Sequence, residues 1–233
     1  MHRLAFSFSA AAPFLVLLLS SAVVADHHDA NHHESSDESH ANPTDKGWIE
    51  LFNGRDLTGW RVSENPETFR VEDGAIIANG PRAHAFYVGA VGNADFQDFE
   101  LLVEVITKPG SNSGIFFHTK YQEEGWPNHG YEMQINQTQG DRIKTGSLYK
   151  VKDVLDDSPA KDNEWYTQHL IVRGKHVVVK VDGEVVNEYT EPEDVQPPAD
   201  RPGRHLSHGT IALQGHDPDS EVHFRSVKIK LLD

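Results

Sequence analysis

The spacing of apolar and polar residues predicts an all-β domain, folded as a sandwich of two sheets. From Trp48 onward, short runs of alternating apolar and polar residues recur at regular intervals. Turn residues such as Asn53-Gly54 and Asp73-Gly74 separate these runs. No long segment repeats its apolar residues every 3.6 positions, so little helix is expected. Many short strands joined by turns are typical of two antiparallel sheets packed face to face.

The individual strands follow from the same alternation. Between residues 99 and 106, the side chains of Phe99, Leu101, Val103 and Val105 form one apolar face. The predicted strands cover residues 69–71, 75–77, 99–106, 114–118, 130–135, 170–172, 177–181, 184–189, 210–214 and 222–229. Residues 192–202 contain four prolines and predict an irregular loop on the surface or at the rim of a pocket.

The N-terminal residues 1–25 are typical of a secretory signal peptide. Arg3 supplies the positive start, residues 14–19 form the apolar run, and Val23-Val24-Ala25 forms a small-residue cleavage site. The apolar run is shorter than the roughly 18 residues that a membrane span needs. We therefore expect a secreted or periplasmic protein without a membrane span.

Residues 26–45 are rich in His, Asp, Glu and Ser and poor in apolar residues, so they predict a disordered linker. Paired histidines such as His27-His28 and His32-His33 can also hold zinc, copper or nickel weakly. Both interpretations stay open, because the histidine spacing is not that of a closed metal site. The remaining residues, 46–233, predict one domain.

Composition limits the class of partner. The formal net charge of −15 argues against nucleic acid, which is bound through lysines and arginines that neutralise phosphates. The chain has no cysteine, which excludes disulfides and thiolate chemistry and fits a bacterial envelope or exterior. A small neutral molecule such as a sugar is therefore the expected partner.

Residues 130–135 separate apolar from polar side chains if they form a strand. Tyr131 and Met133 then face a core, whereas Glu132, Gln134 and Asn136 face the opposite side. A carboxylate beside two amides suits a hydroxyl-rich ligand, although such a row is also found on solvated faces. Aromatic, basic and amide residues nearby or at strand ends extend this candidate site: His118, Trp126, Tyr149, Lys150, Gln214 and His216.

A series of motifs in fixed order carries a family resemblance. The motifs are Gly47-Trp48, Leu51-Phe52-Asn53-Gly54, Leu57-Thr58-Gly59-Trp60, Asn112-Ser113-Gly114-Ile115-Phe116-Phe117, Gly130-Tyr131-Glu132-Met133-Gln134-Ile135, Gly146 to Tyr149, Glu164-Trp165, Ile211-Ala212-Leu213-Gln214-Gly215-His216 and Phe224-Arg225-Ser226-Val227-Lys228-Ile229. Over residues 46–232 the chain resembles the 3-keto-disaccharide hydrolase domain, also known as domain of unknown function 1080. The resemblance implies a jelly roll of the concanavalin and glucanase type that acts on glycosides oxidised at C3. Two positions depart from it: His118 stands where the family often has Arg, and Lys150 where a small residue is common.

The reaction implied by the resemblance needs a general base, a general acid and donors to an oxyanion. A C3 ketone acidifies the hydrogen on C2, so that its removal leads to elimination of the C1 oxygen, after which water can add. Glu132 or His216 is the candidate base. The other of the two, or Tyr149, is the candidate acid. The candidate groups for steadying the enolate are Lys150, His118 and Gln134.

Two other functions remain open at this point. Direct glycoside hydrolysis usually needs two carboxylates, but the second acidic position on this strand is the amide Gln134, which leaves Asp217 or Asp219 as partners for Glu132. A non-catalytic, lectin-like module would instead use Trp126 and Tyr149 as stacking surfaces. Its hydroxyl partners would be the amides Gln134, Asn136 and Gln214.

No cofactor is implied by the residues. A divalent metal is possible in this architecture, with His118, Glu132 and His216 as one conceivable ligand set, but no spacing signature supports it.

Overall fold

A computed structural model describes residues 46–232 of the chain. The predicted signal peptide, residues 1–25, and the predicted linker, residues 26–45, lie outside the described residues. None of the helical segments within residues 46–232 is long and apolar enough to cross a membrane.

The described residues form two antiparallel sheets, which confirms the predicted all-β sandwich. The strands are β1 (Ile49–Glu50), β2 (Trp60–Val62), β3 (Phe69–Glu72), β4 (Ala75–Ala78), β5 (Ala83–Tyr87), β6 (Phe99–Thr107), β7 (Asn112–Thr119), β8 (Tyr131–Asn136), β9 (Tyr166–Arg173), β10 (His176–Val181), β11 (Glu184–Thr190), β12 (Thr210–Gly215) and β13 (Val222–Leu231). The larger sheet has the order β11-β10-β9-β6-β13-β4-β3, with β1 also paired to β13. The smaller sheet has the order β2-β5-β12-β7-β8. The helical content of this region is two short 3₁₀ segments, Pro66–Thr68 and Val91–Ala94.

Strict alternation explains the core between the sheets. Every second residue of β6 from Phe99 to Thr107 is buried, while the residues between them are only partly buried. On the smaller sheet, Ile115 of β7 and Met133 of β8 are fully buried in the same cluster as Phe99. Burial of these apolar side chains is the main stabilising contribution to the sandwich.

The smaller sheet has a second buried layer on its outer face. Phe86, Phe116 and Ala212 form a separate apolar cluster there, with Tyr121 packed against it. These residues alternate along their strands with residues that face the core between the sheets. The outer face of the smaller sheet is therefore covered by loops, and a site can form between the loops and the sheet.

A β-bulge interrupts β7 near its end. Thr210 pairs with Thr119 and Ala212 with Phe116, so β7 holds one residue more than β12 across this step. His118 lies in the bulge with a φ of 53°. Its ring packs at 5.7 Å from the ring of Phe99 and 5.6 Å from that of Phe117. The bulge therefore turns His118 towards the core between the sheets.

Beyond β8, residues 146–149 continue the smaller sheet. The N–H of Tyr149 donates to the carbonyl oxygen of Glu132 at 3.0 Å, and the N–H of Gln134 donates to that of Ser147 at 3.0 Å. The proline-rich loop then closes over this edge, because the N–H of Gly130 donates to the carbonyl oxygen of Gly203 at 2.9 Å. The loop is irregular, as predicted.

Glu191 anchors both ends of that loop. Its side chain is fully buried and follows the last residue of β11. One carboxylate oxygen accepts from Tyr131 Oη at 2.6 Å and from the N–H of Leu206 at 2.7 Å, while the other accepts from Lys175 Nζ at 2.8 Å. These bonds tie the start of the loop, its end and β8 to one buried group.

We predict that Glu191→Gln lowers the free energy of unfolding by about 1.5–3 kcal/mol, because buried hydrogen bonds to a charged acceptor are lost. The matched control is Glu188→Gln near the end of β11, whose carboxylate is 62% exposed and pairs with His176. It should change the free energy by less than about 0.5 kcal/mol. Urea denaturation measures both, and equal effects would contradict the anchoring role of Glu191.

Candidate active site

A cavity of about 520 Å³ lies on the outer face of the smaller sheet. Its lining combines polar, aromatic and charged side chains from the sheet, from residues 139–150, and from the loops before β8 and β12 and after β12. The lining residues are Asn112, Phe116, Trp126, Glu132, Gln134, Gln139, Asp141, Tyr149, Lys150, Pro198, Asp200, Arg201, Arg204, Gln214 and His216. A mixed lining of this kind suits a ligand with both hydroxyl groups and an apolar ring face.

The side chain of Glu132 extends from β8 across the neighbouring strand β7, at the centre of this lining. Its Oε1 accepts from Gln214 Nε2 of β12 at 2.9 Å, although β7 separates the two strands. The carboxylate passes over Gly114, where an added Cβ would lie 2.3 Å from Oε1 and 2.8 Å from Cγ. A residue without a side chain is therefore required at position 114.

The surroundings of Glu132 favour its neutral form. Burial raises the pKa of Glu132 to about 7, although the hydrogen bond from Gln214 and the charges of Arg204, Arg201 and Lys150 lower it. A carboxyl group with a pKa near neutrality can accept and return a proton at physiological pH.

The floor beside Glu132 is made of buried amides. Gln134 Nε2 donates to Asn112 Oδ1 at 3.1 Å. The Oε1 atoms of Gln134 and Gln214 are buried and have no hydrogen-bond partner among the described residues. Buried acceptors without partners are unfavourable, so these two atoms are candidates to accept ligand hydroxyl groups after small adjustments.

An aromatic wall borders the β12 and β5 side of the cavity. The ring of Trp126 lies 5.4 Å from that of His216 and 5.6 Å from that of His84, and the Arg82 guanidinium lies 5.3 Å from the Trp126 ring. His84 is fully buried, and burial lowers its pKa to about 3. Neither of its ring nitrogens has a hydrogen-bond partner among residues 46–232. The imidazole of His84 is thus neutral and supports Trp126 as an apolar group.

His216 is oriented by the residue that follows it. Its Nδ1 lies 2.5 Å from Asp217 Oδ2, and Oδ1 of the same carboxylate accepts from the N–H groups of Asp219 and Ser220 at 2.9 Å each. The other ring nitrogen, Nε2, has no hydrogen-bond partner in the described part of the chain. Asp217 and Asp219, the predicted alternative partners of Glu132, do not line the cavity.

The opposite wall is formed by Tyr149 and basic residues. Tyr149 Oη donates to Asp141 Oδ2 at 3.1 Å, and burial, with the charge of Asp141, raises the pKa of Tyr149 to about 12. The Lys150 ammonium lies 5.1 Å from the Tyr149 ring. Arg204 Nη2 donates to the carbonyl oxygen of Tyr149.

The structure brings most of the predicted site residues into one cavity but not His118. Glu132, His216, Trp126, Gln134, Tyr149, Lys150 and Gln214 all line the cavity. His118 is only 2% exposed, and its ring nitrogens face Gln97 O at 2.9 Å and the N–H of Ser207 at 3.1 Å. The bulge in β7 is the reason. The conceivable metal set of His118, Glu132 and His216 is therefore not assembled, and residues 46–232 contain no other cluster of three metal-ligating side chains.

The sequence did not point to several residues that line the cavity or support its walls. Arg201 lies within residues 192–202, which were predicted to form a surface loop or a pocket rim, whereas Arg204 lies just beyond that stretch. Asp141 and His84 gave no signal, because only the fold brings them beside Tyr149 and Trp126. Asn112 begins one of the motifs that carry the family resemblance, but its contact with Gln134 depends on strand register.

Comparison with known proteins gives one family for this chain. The model of the 3-keto-alpha-glucoside-1,2-lyase-like domain matches residues 47–230. A 3-keto-disaccharide hydrolase from Bacteroides thetaiotaomicron is 26% identical, over 80% of this chain and 79% of that protein.

Solved structures support the fold. A candidate glycosyl hydrolase from Parabacteroides distasonis is 23% identical and superposes with a TM-score of 0.67, covering 82% of this chain and 96% of that one. The exoplasmic/lumenal domain of VIP36, in a form bound to Ca²⁺ and Man₃GlcNAc, is 11% identical with a TM-score of 0.54, covering 80% and 89%. The predicted jelly-roll fold class is thereby confirmed.

We predict that Gly114→Ala lowers the free energy of unfolding by about 1–3 kcal/mol, because the new methyl group overlaps the Glu132 side chain. In a Glu132→Ala background the same substitution should cost clearly less, since the overlapping atoms are gone. Gly140→Ala is the control, because no atom lies within 4 Å of its added Cβ. Strictly additive effects in the double variant would refute the close approach.

We also predict that Glu132→Gln stabilises the protein above neutral pH. The raised pKa of Glu132 means that its stabilising contribution is complete below the ordinary value of 4.5 and is lost as pH rises through about 7. The glutamine variant does not suffer this loss. Urea denaturation should give equal stability near pH 4 and a growing advantage for the variant up to about pH 7. A constant difference across that range would mean that the pKa of Glu132 is not raised.

Proposed function

This chain belongs to the 3-keto-alpha-glucoside-1,2-lyase-like domain family, and from that premise we propose that it cleaves 3-keto-glycosides. The family makes it a carbohydrate-active protein; the substrate class and mechanism are our proposal. We also propose export across the membrane to the periplasm or exterior, on the basis of residues 1–25.

The observation that carries the proposal is the environment of Glu132. Its carboxyl group lies in a cavity, is held by Gln214, and has a pKa raised to about 7 by burial. Removal of a hydrogen that is acidified by a neighbouring ketone needs a base of this strength, because a carboxylate with an ordinary pKa is a weaker proton acceptor.

The proposed first step is transfer of the C2 proton to Glu132. The C2–H electron pair forms a C2=C3 bond, and the electrons of the C3 carbonyl move to its oxygen, giving an enolate. Lys150 is the exposed cation that can approach this oxygen, and Gln134 can supply an amide N–H if it exchanges its bond to Asn112.

The second step is loss of the C1 substituent. As the C3 carbonyl reforms, the C2=C3 electrons form a C1=C2 bond and the C1–O bond breaks, so that the leaving oxygen takes a proton. His216 can donate that proton from Nε2, because Asp217 holds its Nδ1. Tyr149 is the second candidate acid. Addition of water to C1 and return of a proton to C2 then complete a net hydrolysis.

A second candidate is non-catalytic sugar binding. The observation in its favour is the combination of a half-buried Trp126 with the buried amides of Gln134 and Gln214, which suits a sugar ring without any chemistry. Binding of unoxidised disaccharides at least as tight as that of 3-keto-disaccharides, without turnover of either, would favour this candidate. Direct hydrolysis by a pair of carboxylates is less favoured, because Asp217 is committed to His216 and loop N–H groups.

We predict that Glu132→Gln lowers turnover of a 3-keto-glucoside by about 10²–10⁴-fold, and that His216→Asn lowers it by a similar factor when the leaving group is a poor one. Mass spectrometry identifies the products and follows their formation over time, which gives the turnover rate with and without a chelator. Glu188→Gln, an exposed change on β11 of the other sheet, is the control. Wild-type rates in both site variants would remove Glu132 and His216 from the mechanism.

A further inference from the structure

The loop-side wall of the cavity concentrates positive charge in an acidic protein. Lys150, Arg201 and Arg204 line this wall, although the chain has a formal net charge of −15. The other arginines of residues 46–232 are either paired with a carboxylate or exposed. The paired arginines are Arg61, Arg70, Arg82, Arg142 and Arg225, and the exposed ones are Arg55 and Arg173.

Arg201 and Arg204 are half-buried without a carboxylate partner among the described residues. The side chain of Arg201 has no hydrogen bond or ion pair there, and that of Arg204 bonds only the carbonyl oxygen of Tyr149. Burial and the repulsion of Arg201 lower the pKa of Arg204. Holding two guanidinium groups together in this way costs free energy, which a negatively charged ligand would recover.

The carboxylates near the cavity offset these two charges only in part, because the attraction of Glu132 and Asp153 leaves the pKa of Arg204 still lowered. Glu132 is bonded to Gln214 and has its pKa raised towards the neutral form, and Asp141 accepts from Tyr149 Oη. Asp200 is exposed. None of these three cavity carboxylates lies within 4.0 Å of either guanidinium group, so neither arginine forms an ion pair with them.

The order of groups across the sheet separates this wall from the aromatic one. Gln214 lies on β12, Glu132 on β8, and Tyr149 beyond β8, where Arg204 contacts its carbonyl oxygen. Trp126 contacts His216 on the β12 side. A sugar that stacks on Trp126 and presents C2 to Glu132 therefore extends its far side towards the arginines.

We propose that Arg201 and Arg204 form a subsite for a negatively charged substituent of the sugar, so that the preferred substrates are acidic glycosides. A carboxylate, sulfate ester or phosphate ester fits, because guanidinium groups bind planar or tetrahedral oxyanions through paired N–H donors. The inference rests on the proposed function for the identity of the cavity as a sugar site. The enolate does not account for the two arginines, because it carries only one transient charge and Lys150 is available to stabilise it.

The test is a binding experiment with unoxidised ligands, which need no turnover. Calorimetry with the purified protein would compare 4-nitrophenyl glucoside with the corresponding glucuronide, galacturonide, glucoside 6-sulfate and glucoside 6-phosphate. At least one acidic ligand should bind about tenfold or more tightly than the neutral one, and added salt should weaken that preference. Inorganic sulfate and phosphate alone should bind weakly, since they lack the sugar ring.

Arg201→Gln should reduce the ratio of acidic to neutral affinity by about tenfold, and Arg201→Lys should retain part of it. Arg204→Gln should act in the same direction. Arg173→Gln is the matched control, because Arg173 is exposed at the end of β9 and forms no ion pair within residues 46–232, so the ratio should stay unchanged. The folded state of each variant is checked by circular dichroism.

The proposal is overturned if no acidic ligand binds more tightly than the neutral glucoside, or if Arg173→Gln lowers the ratio as much as Arg201→Gln. Failure of the enzyme proposal gives a different result, namely charge-selective binding without cleavage of any 3-keto substrate. Tight binding of inorganic sulfate or phosphate without any sugar preference would also refute an acidic-glycoside subsite.

Discussion

The hydrogen bond between Glu132 and Gln214 is the interaction on which the rest of the site depends. It spans an intervening strand and is possible only because Gly114 presents no side chain beneath the carboxylate. The bond fixes an acidic group against a sheet face from which water is largely removed, and that burial raises its pKa to about 7. The contact with Gln214 thus fixes the position of Glu132, while burial raises the pKa of Glu132 against the opposing effect of that hydrogen bond.

The two faces of the smaller sheet have different tasks. The inner face supplies Ile115 and Met133 to the core, and the outer face presents Glu132 and Gln134 to the cavity. Loops supply the side walls of the cavity. Trp126 and His216 form one wall, and Arg201 and Arg204 contribute to the opposite wall. Glu191 holds the arginine-bearing loop through buried hydrogen bonds, so the stability of the sheet edge and the shape of the cavity are linked.

The net charge of the chain does not reveal where its charged side chains lie. An overall charge of −15 suggested a neutral ligand, yet the loop-side wall of the cavity carries Lys150, Arg201 and Arg204. Sequence totals cannot reveal such a local field, because they do not say which carboxylates lie close enough to neutralise which cations. Within residues 46–232, five arginines pair with carboxylates, whereas Arg201 and Arg204 line the cavity instead.

Alternation of side chains along the chain predicted most of the strands and their faces, although it missed β1, β2 and β5. That rule placed Glu132 and Gln134 together and Met133 opposite them. Which distant groups meet these side chains depends on the packing of the whole domain. A single extra residue in β7 turned His118 into the core, and the strand order brought Gln214 over Gly114 to Glu132. Such outcomes depend on register and on the path of the loops, which are fixed by packing between segments far apart in the chain.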